Sequence, residues 1–214
     1  MKKQETIVSV DIECTGPCPG LHSMISIGAV ACIADETQKS GFRVVSEFSA
    51  NLYELESGGM TEEQRLDIFH KHSTRDPQTM AGFWDKEREA WAEATKDPVE
   101  PEIAMKDFKK WLNNLPSKGR PVFCAYPAGF DWPFIYWYFH KLTGSCPFGF
   151  QCLDMKSYAH AILGKHFRFS TKRNMPKTWF PKNLPHTHIA IDDAREQAYL
   201  FFQMRRAATE VRNG

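Results

Sequence analysis

The chain has 214 residues, 42% of them hydrophobic and 25% charged, with a mean hydropathy of −0.46. A chain of this size and composition can bury a full core without disulfides or a structural metal, and it is not disordered, collagen-like or coiled-coil. The net charge of +1 conceals an asymmetry: residues 1–107 carry 11 Lys/Arg against 20 Asp/Glu, whereas residues 108–214 carry 16 against 6. That split fits an anionic partner for the C-terminal half, or a dipolar surface with no ligand.

No apolar run approaches the ~18–20 residues of a membrane span, and no apolar segment precedes Asp11 as a signal peptide would require. The six cysteines (14, 18, 32, 124, 146 and 152) show no spacing that suggests a disulfide framework. A reduced, cytoplasmic protein that does not enter a membrane is the expectation.

In chain order, Ile7-Val8-Ser9-Val10-Asp11-Ile12-Glu13 reads as a short strand ending in carboxylates, and Gly16, Pro17, Pro19 and Gly20 then force a loop. Met24–Ile33 is almost continuously apolar, as a buried central strand should be. A turn at Lys39-Ser40-Gly41 leads into a third strand, Phe42–Phe48, so the three are expected to form a meander. Residues 57–75 are weakly patterned, with at most one short helix. Met80, Trp84 and Trp91 share one face of an expected helix, and Ala104, Phe108, Trp111, Leu112 and Leu115 share one of another.

A fourth strand is expected at Pro121–Ala125 and a helix at Asp131–Lys141, with Pro133 in its first turn. Phe150–Leu153 reads as a fifth strand and Asp154–Leu163 as a helix. Residues 164–188 are irregular, and a last helix runs from Asp192 to Arg206. A meander followed by alternating strands and helices gives one α/β domain over residues 1–214, built on a mixed sheet.

Asp11 and Glu13 leave the same face of their strand, because side chains alternate with a period of two. Two carboxylates at the end of an apolar strand repel each other unless cations lie between them, and hard oxygen donors suit Mg²⁺ or Mn²⁺. The same spacing in Asp85-x-Glu87 falls on an expected amphipathic helix and reads as solvated surface. Asp131, just after the fourth strand, either caps the following helix or joins Asp11 at the sheet edge. Of the adjacent pair, Asp193 lines up beside the apolar Ala194–Ala198–Phe201 face and is the better ligand. Asp192 lines up with Glu196 on a more polar face and is the better cap.

Taken together, Asp11-x-Glu13-x-Thr15-Gly16, Gly129-Phe130-Asp131-x-x-Phe134 and His188-x-x-x-x-Asp193 resemble the three motifs of the DEDDh 3′–5′ exonucleases, among them ribonuclease T, oligoribonuclease and proofreading subunits. The sister DEDDy class would carry tyrosine where Ile189 stands. The resemblance spans residues 7 to about 203 and departs in the Cys14/Cys18 loop and the long stretch 164–188. It implies a ribonuclease H-like fold of five mixed strands and two divalent ions, Mg²⁺ or Mn²⁺, held by Asp11, Glu13, Asp131 and Asp193. In this reading His188 is the general base, Thr15 touches substrate, and the products are nucleoside 5′-monophosphates. Relatives of this kind are often homodimers. His186, two residues away, falls out of register with the motif.

Cys14-x-x-x-Cys18-x-x-x-His22 has no obvious fourth zinc ligand and reads as free thiols. Seven aromatics between Phe130 and Phe139 read as a helix buried against the sheet or at a dimer contact. Met155–Ile191 holds seven Lys/Arg, including Lys172 and Arg173, and no acid, with Phe167, Phe169, Trp179 and Phe180 among them. Cations for phosphates and rings for unpaired bases describe a single-strand path, with Lys172 and Arg173 as substrate contacts. The expected partner is the 3′ end of single-stranded RNA or DNA. The alternative is a non-catalytic single-strand-binding module with the same fold.

Overall fold

The computed structural model describes residues 5–55, 75–116, 119–184 and 186–213, with residues 211–213 described by their backbone alone. Most of the weakly patterned segment 57–75 lies outside these residues. Five strands, β1 (Ile7–Cys14), β2 (Met24–Ala34), β3 (Phe42–Asn51), β4 (Val122–Ala125) and β5 (Cys152–Asp154), form one sheet in the order β3-β2-β1-β4-β5. The first three are the expected antiparallel meander, and β4 and β5 join β1 in parallel. Nearly every residue of β2 is buried, which is why its sequence shows no alternation.

The helices in chain order are α1 (Pro77–Thr79), which widens into a π-helical turn (Met80–Trp84), then α2 (Arg88–Ala94), α3 (Pro101–Asn113), α4 (Ala128–Thr143), α5 (Met155–Leu163) and α6 (Ala190–Asn213). They cover both faces of the sheet. On one face Val8, Val10 and Ile12 pack with Phe108 and Leu112 of α3 and Phe134, Tyr138 and Phe139 of α4. On the other, Ile7, Val30 and Cys124 pack with Ala194, Ala198 and Phe201 of α6 and Met155 of α5. Alternation along β1 therefore puts Asp11 and Glu13, which share the parity of Ile7, on the α6 side.

Two expected elements differ. The single helix through Met80 and Trp91 is two pieces, because the wide turn, closed by Asp85 N–H to the Met80 carbonyl at 2.9 Å, breaks the register. The extra residue lets the Trp84 indole N–H donate to the Cys14 carbonyl at 2.9 Å, while Trp84 and Trp91 still meet in one small core. Helix α4 begins at Ala128, three residues before the expected start, so Pro133 lies inside it and Asp131 does not cap it. The start is held from outside: one oxygen of Asp154 accepts the Ala128 N–H at 2.9 Å, and the other accepts the Ser157 N–H at 2.9 Å and caps α5.

The start of α6 lies directly on β2 at Gly28. A Cβ there would meet the Ala190 carbonyl carbon and oxygen at 2.2 Å, inside contact distance of a backbone that cannot yield. Gly28→Ala should cost about 3 kcal/mol or more of stability in urea unfolding, and should lower activity by displacing the helix that carries Asp193. An unchanged unfolding midpoint would contradict this close approach.

Candidate active site

Strand β4 is four residues long, and its pairing with β1 ends at Ser9. Beyond that point β1 runs on without β4, and the N–H of Ile12 donates to Asp131 Oδ1 at 3.1 Å. Asp131 is buried, drawn under the sheet by this bond from the first turn of α4. Asp193 is buried too; its carboxylate accepts the N–H groups of Thr187 at 2.9 Å and of His188 at 3.1 Å, the two residues that lead into α6. One oxygen each of Asp11, Glu13 and Asp193 lie within 4.8 Å of one another. Gln197, one helical turn after Asp193, donates to Asp11 Oδ1 at 2.6 Å and accepts the Tyr126 N–H at 2.9 Å. A single amide thus ties β1 and α6 to the turn before α4.

Like charges taken out of water disfavour their ionised forms. Burial, then the charges of Asp131 and Asp193, push the carboxyl of Asp11 well up. Burial and Asp11 do the same to Glu13. Burial raises Asp131 to about 7 despite the bond from Ile12. Asp193 goes the other way: burial opposes ionisation, but hydrogen bonds from His186 and Thr187 outweigh it and hold it low.

Two cations of the chain stand in this cluster. His186 Nδ1 is 2.9 Å from Asp193 Oδ2 and 3.7 Å from Glu196 Oε2, and these bonds raise its pKa to about 9. Lys172 Nζ donates to Glu196 Oε2 at 2.5 Å and lies 5.6 Å over the Tyr126 ring. Glu196 is held low because His186 and Lys172 outweigh its burial. Five carboxylates against two cations leave three negative charges uncompensated when all are ionised. Clustered hard oxygens with upward-shifted pKa values fit a divalent cation of the Mg²⁺ or Mn²⁺ kind.

His188 sits at φ +57, a left-handed conformation held by the bond of its N–H to Asp193. Its ring packs edge-on against Phe83 of the π-helical turn at 4.8 Å and against His186 at 4.3 Å. Burial, then the charge of His186, lowers its pKa, so the imidazole is neutral near pH 7.

Several expectations are corrected here. His186 is not out of register: it contacts Asp193 directly, because the carboxylate folds the preceding loop back onto itself. Glu196 is buried in the site and not on a polar outer face, three residues along α6 from Asp193. Asp192 does not cap α6; it pairs with Arg195 at 2.7 Å, which in turn pairs with Glu47. Glu87 of the second Asp-x-Glu pair is half-buried, and its charge reaches His188, whereas Asp85 is exposed.

Thr15 is fully buried, and its hydroxyl accepts the Ser23 N–H at 2.9 Å, which closes the loop after Glu13. Lys172 is in the site and largely covered, whereas Arg173 beside it is exposed. Trp179 and Phe180 pack into the core beneath α6, so only Phe167 and Phe169 of the four named aromatics face outward. Cys14 is buried with its thiol on the Gly16 carbonyl, and His22 Nδ1 meets the Cys18 N–H, so neither joins a metal-binding group among the described residues.

Helical spacing signals Glu196 and Gln197, three and four residues after Asp193; no spacing signals Phe83, which arrives through the π-helical turn.

The chain belongs to the Rv2179c-like family, the 3′-5′ exoribonuclease Rv2179c-like domain, whose model matches residues 6–204. It is 32% identical over 201 residues to the 3′-5′ DNA exonuclease Cap18 of Escherichia coli, covering 92% of this chain and 90% of that protein. Its fold matches the nuclease domain of 3′hExo, a DEDDh family member bound to rAMP, with a TM-score of 0.62 and 11% identity over 96% of this chain and 94% of that one. E. coli exonuclease I in complex with single-stranded DNA shares the fold at a TM-score of 0.54 and 14% identity, over 97% of this chain and 40% of that one. The chain is a 3′–5′ exonuclease, and its mixed-sheet, ribonuclease H-like fold is that of the DEDDh enzyme 3′hExo. No helix among the described residues is long and apolar enough to cross a membrane.

The carboxylate cluster gives a pH-dependent stability. Asp131, Asp11 and Glu13 have raised pKa values, so the stability their protonation contributes is full below about pH 4 and is lost at higher pH, for Asp131 as pH rises through about 7. His186 acts in the same sense, losing its contribution as pH rises through about 9. Asp193 and Glu196, with lowered values, lose theirs only below about pH 4. In chelator the protein should therefore be less stable at pH 8 than at pH 5.5, by on the order of 2–4 kcal/mol. Mn²⁺ should close that gap, since it binds the ionised form. Thermal unfolding in EDTA and in Mn²⁺ measures both; a metal-free protein more stable at pH 8 contradicts the cluster.

Proposed function

We propose that residues 1–214 act as one exonuclease domain that removes nucleotides from single-stranded 3′ ends or short overhangs and releases nucleoside 5′-monophosphates. The observation that carries this is the convergence of Asp11, Glu13 and Asp193 within 4.8 Å, with Asp131 anchored on Ile12 beside them and His188 at the rim. Asp11, Glu13, Asp131 and Asp193 would hold two divalent ions, Mg²⁺ or Mn²⁺. The chemistry such ions supply is Lewis acidity toward the scissile phosphate and its leaving oxygen.

The chain's own groups do the rest. His188, neutral and half-buried, accepts a proton from the attacking water at its free ring nitrogen. His186 is protonated at neutral pH and already donates to Asp193, so it serves as a cation and not as the base. Water attacks phosphorus, the bond to the 3′ oxygen of the preceding nucleotide breaks, and that oxygen takes up a proton from solvent and leaves as a 3′-hydroxyl. Lys172, held by Glu196, places a positive charge beside this phosphate, and exposed Arg173 meets the next one. Thr15 shapes the loop that borders the 3′-terminal nucleotide.

The family is described by RNA and the E. coli relative by DNA. What the two share, a phosphodiester next to a free 3′ end, is what this site takes. Six free thiols, with Cys18 and Cys152 exposed, suit a reducing cytoplasm. A complete carboxylate set with a neutral His188 supports hydrolysis over a non-catalytic binding module.

Digestion of labelled single-stranded RNA and DNA, with free or blocked 3′ ends and with Mn²⁺, tests the reading. Asp11→Ala should abolish monophosphate release. His188→Ala should cost roughly 10²–10⁴ in rate. In the wild type the rate should rise with pH through a pKa below the ordinary ~6.5, because the unprotonated imidazole is the active form. His188→Ala should remove that limb. Near wild-type turnover in Asp11→Ala, or release from a blocked 3′ end, would overturn it.

A further inference from the structure

Helix α5 ends at Gly164, whose φ of +62 turns the chain across the surface, and a cleft of about 570 Å³ opens beside that turn. Its walls are His160, Gly164, Lys165, His166, Phe169 and Asn174. Phe167 and Phe169 are 48% and 58% exposed, two phenyl rings at the surface within three residues. Phenyl rings left in water cost free energy that burial would recover, so a pair of them beside a cleft marks a contact surface. Trp179 and Phe180, a few residues on, are buried in the core, so the outward pair is not a general feature of the segment.

The cleft is framed by its own bonds. Lys165 Nζ donates to the Asn174 carbonyl at 3.0 Å, and His160 Nδ1 lies 2.6 Å from the Lys165 carbonyl. Asn174 Nδ2 donates to the Phe169 carbonyl at 3.0 Å and to Thr171 Oγ1 at 3.2 Å. His166 stands edge-on to Phe169 at 6.4 Å and His160 edge-on to Phe167 at 5.9 Å, while Lys156 Nζ lies 4.6 Å over the Phe167 ring. A preformed wall of aromatic faces, imidazole edges and an amide suits a flat ring system with hydrogen-bonding edges.

The surroundings fix the charge of that ligand. Met155–Ile191 contains no Asp or Glu, and Lys165 and Arg168 are exposed beside the cleft. An anionic ligand is therefore favoured over a cationic one. The segment also leads to the carboxylate site: Lys172, three residues after Phe169, has its ammonium there. Three residues span at most about 11 Å between Cα atoms. A strand whose 3′ end lies at the carboxylates can thus reach the cleft with a nucleotide a short way upstream.

We propose that this cleft is a second nucleotide subsite, in which an unpaired base upstream of the 3′-terminal nucleotide stacks on Phe169, with Lys165 and Arg168 beside its phosphate. The inference rests on the nuclease reading of the carboxylate site, and its test keeps the two apart. Affinity for 5′-fluorescein decathymidylate and decauridylate is measured by anisotropy in EDTA, where no hydrolysis is needed. Hydrolysis of the decamers and of a dinucleotide is then followed in Mn²⁺. Phe169 is exposed, so Phe169→Ala leaves the core intact, and Phe169→Trp restores a stacking face.

Phe169→Ala should weaken binding of the tighter decamer about tenfold to a hundredfold. It should also lower the ratio of kcat/KM for decamer over dinucleotide by about tenfold. Phe169→Trp should bind like wild type, with its tryptophan fluorescence quenched by the oligonucleotide. Decamer affinity unchanged in Phe169→Ala, or equal losses on decamer and dinucleotide, would overturn the subsite. Decamer binding that depends on Phe169 in a wild type that hydrolyses neither substrate would support the subsite and refute the nuclease reading.

Discussion

Mutual repulsion among Asp11, Glu13, Asp131 and Asp193 is the constraint around which the rest of the molecule is arranged. Glu13, Asp131 and Asp193 are buried and Asp11 half-buried, and each ionised form is costly unless something positive or hydrogen-bonding faces it. The chain supplies a different answer for three of them: the Ile12 N–H for Asp131, the Gln197 amide for Asp11, and the N–H groups of Thr187 and His188 for Asp193. Those partners come from β1, α6 and the loop before α6, so the carboxylates cannot be placed unless the elements are. His186 and Lys172 offset part of the charge and leave the remainder for a divalent cation.

The fold meets this constraint by ending strand pairing early. With β4 only four residues long, β1 opens beyond Ser9, and side chains can reach its backbone from the far side. Gly28 lets the first turn of α6 rest on β2, which brings Asp193 down to Glu13 and Asp11. The π-helical turn then sets Phe83 against His188 and fixes the imidazole at the rim, where its burial keeps it neutral. Acid–base chemistry here depends on two histidines two residues apart being held in opposite states. His186 is charged because it touches carboxylates, and His188 is uncharged because it touches Phe83 and His186.

Much of this was legible from residues alone. The alternation in Ile7–Glu13 put both carboxylates on one face, and the unbroken apolar run of β2 marked the central strand beside it. The apolar face of α6 chose Asp193 over Asp192 as the inward carboxylate, and burial bears that out. What was hidden had non-local causes. His186 enters the site because Asp193 binds the backbone of the loop that carries it. Lys172 meets Glu196, 24 residues on, across a long loop and the first turns of α6. The widened turn at Met80–Trp84 answers to a hydrogen bond with Cys14, 70 residues away, which no local periodicity contains. Trp179 and Phe180 look like Phe167 and Phe169 in sequence, and only packing separates the buried pair from the exposed one.

Proton release on metal binding tests the central claim most directly. If the cluster is held partly protonated by its own repulsion, Asp131 with a pKa of about 7 and Asp11 and Glu13 well above the carboxylate range, then Mn²⁺ must displace protons to bind. Calorimetric titration at pH 7 in buffers of different ionisation enthalpy should give apparent enthalpies that vary with the buffer. The slope should correspond to roughly one or more protons released per protein. An enthalpy independent of buffer, or no binding of Mn²⁺ at all, would contradict the account.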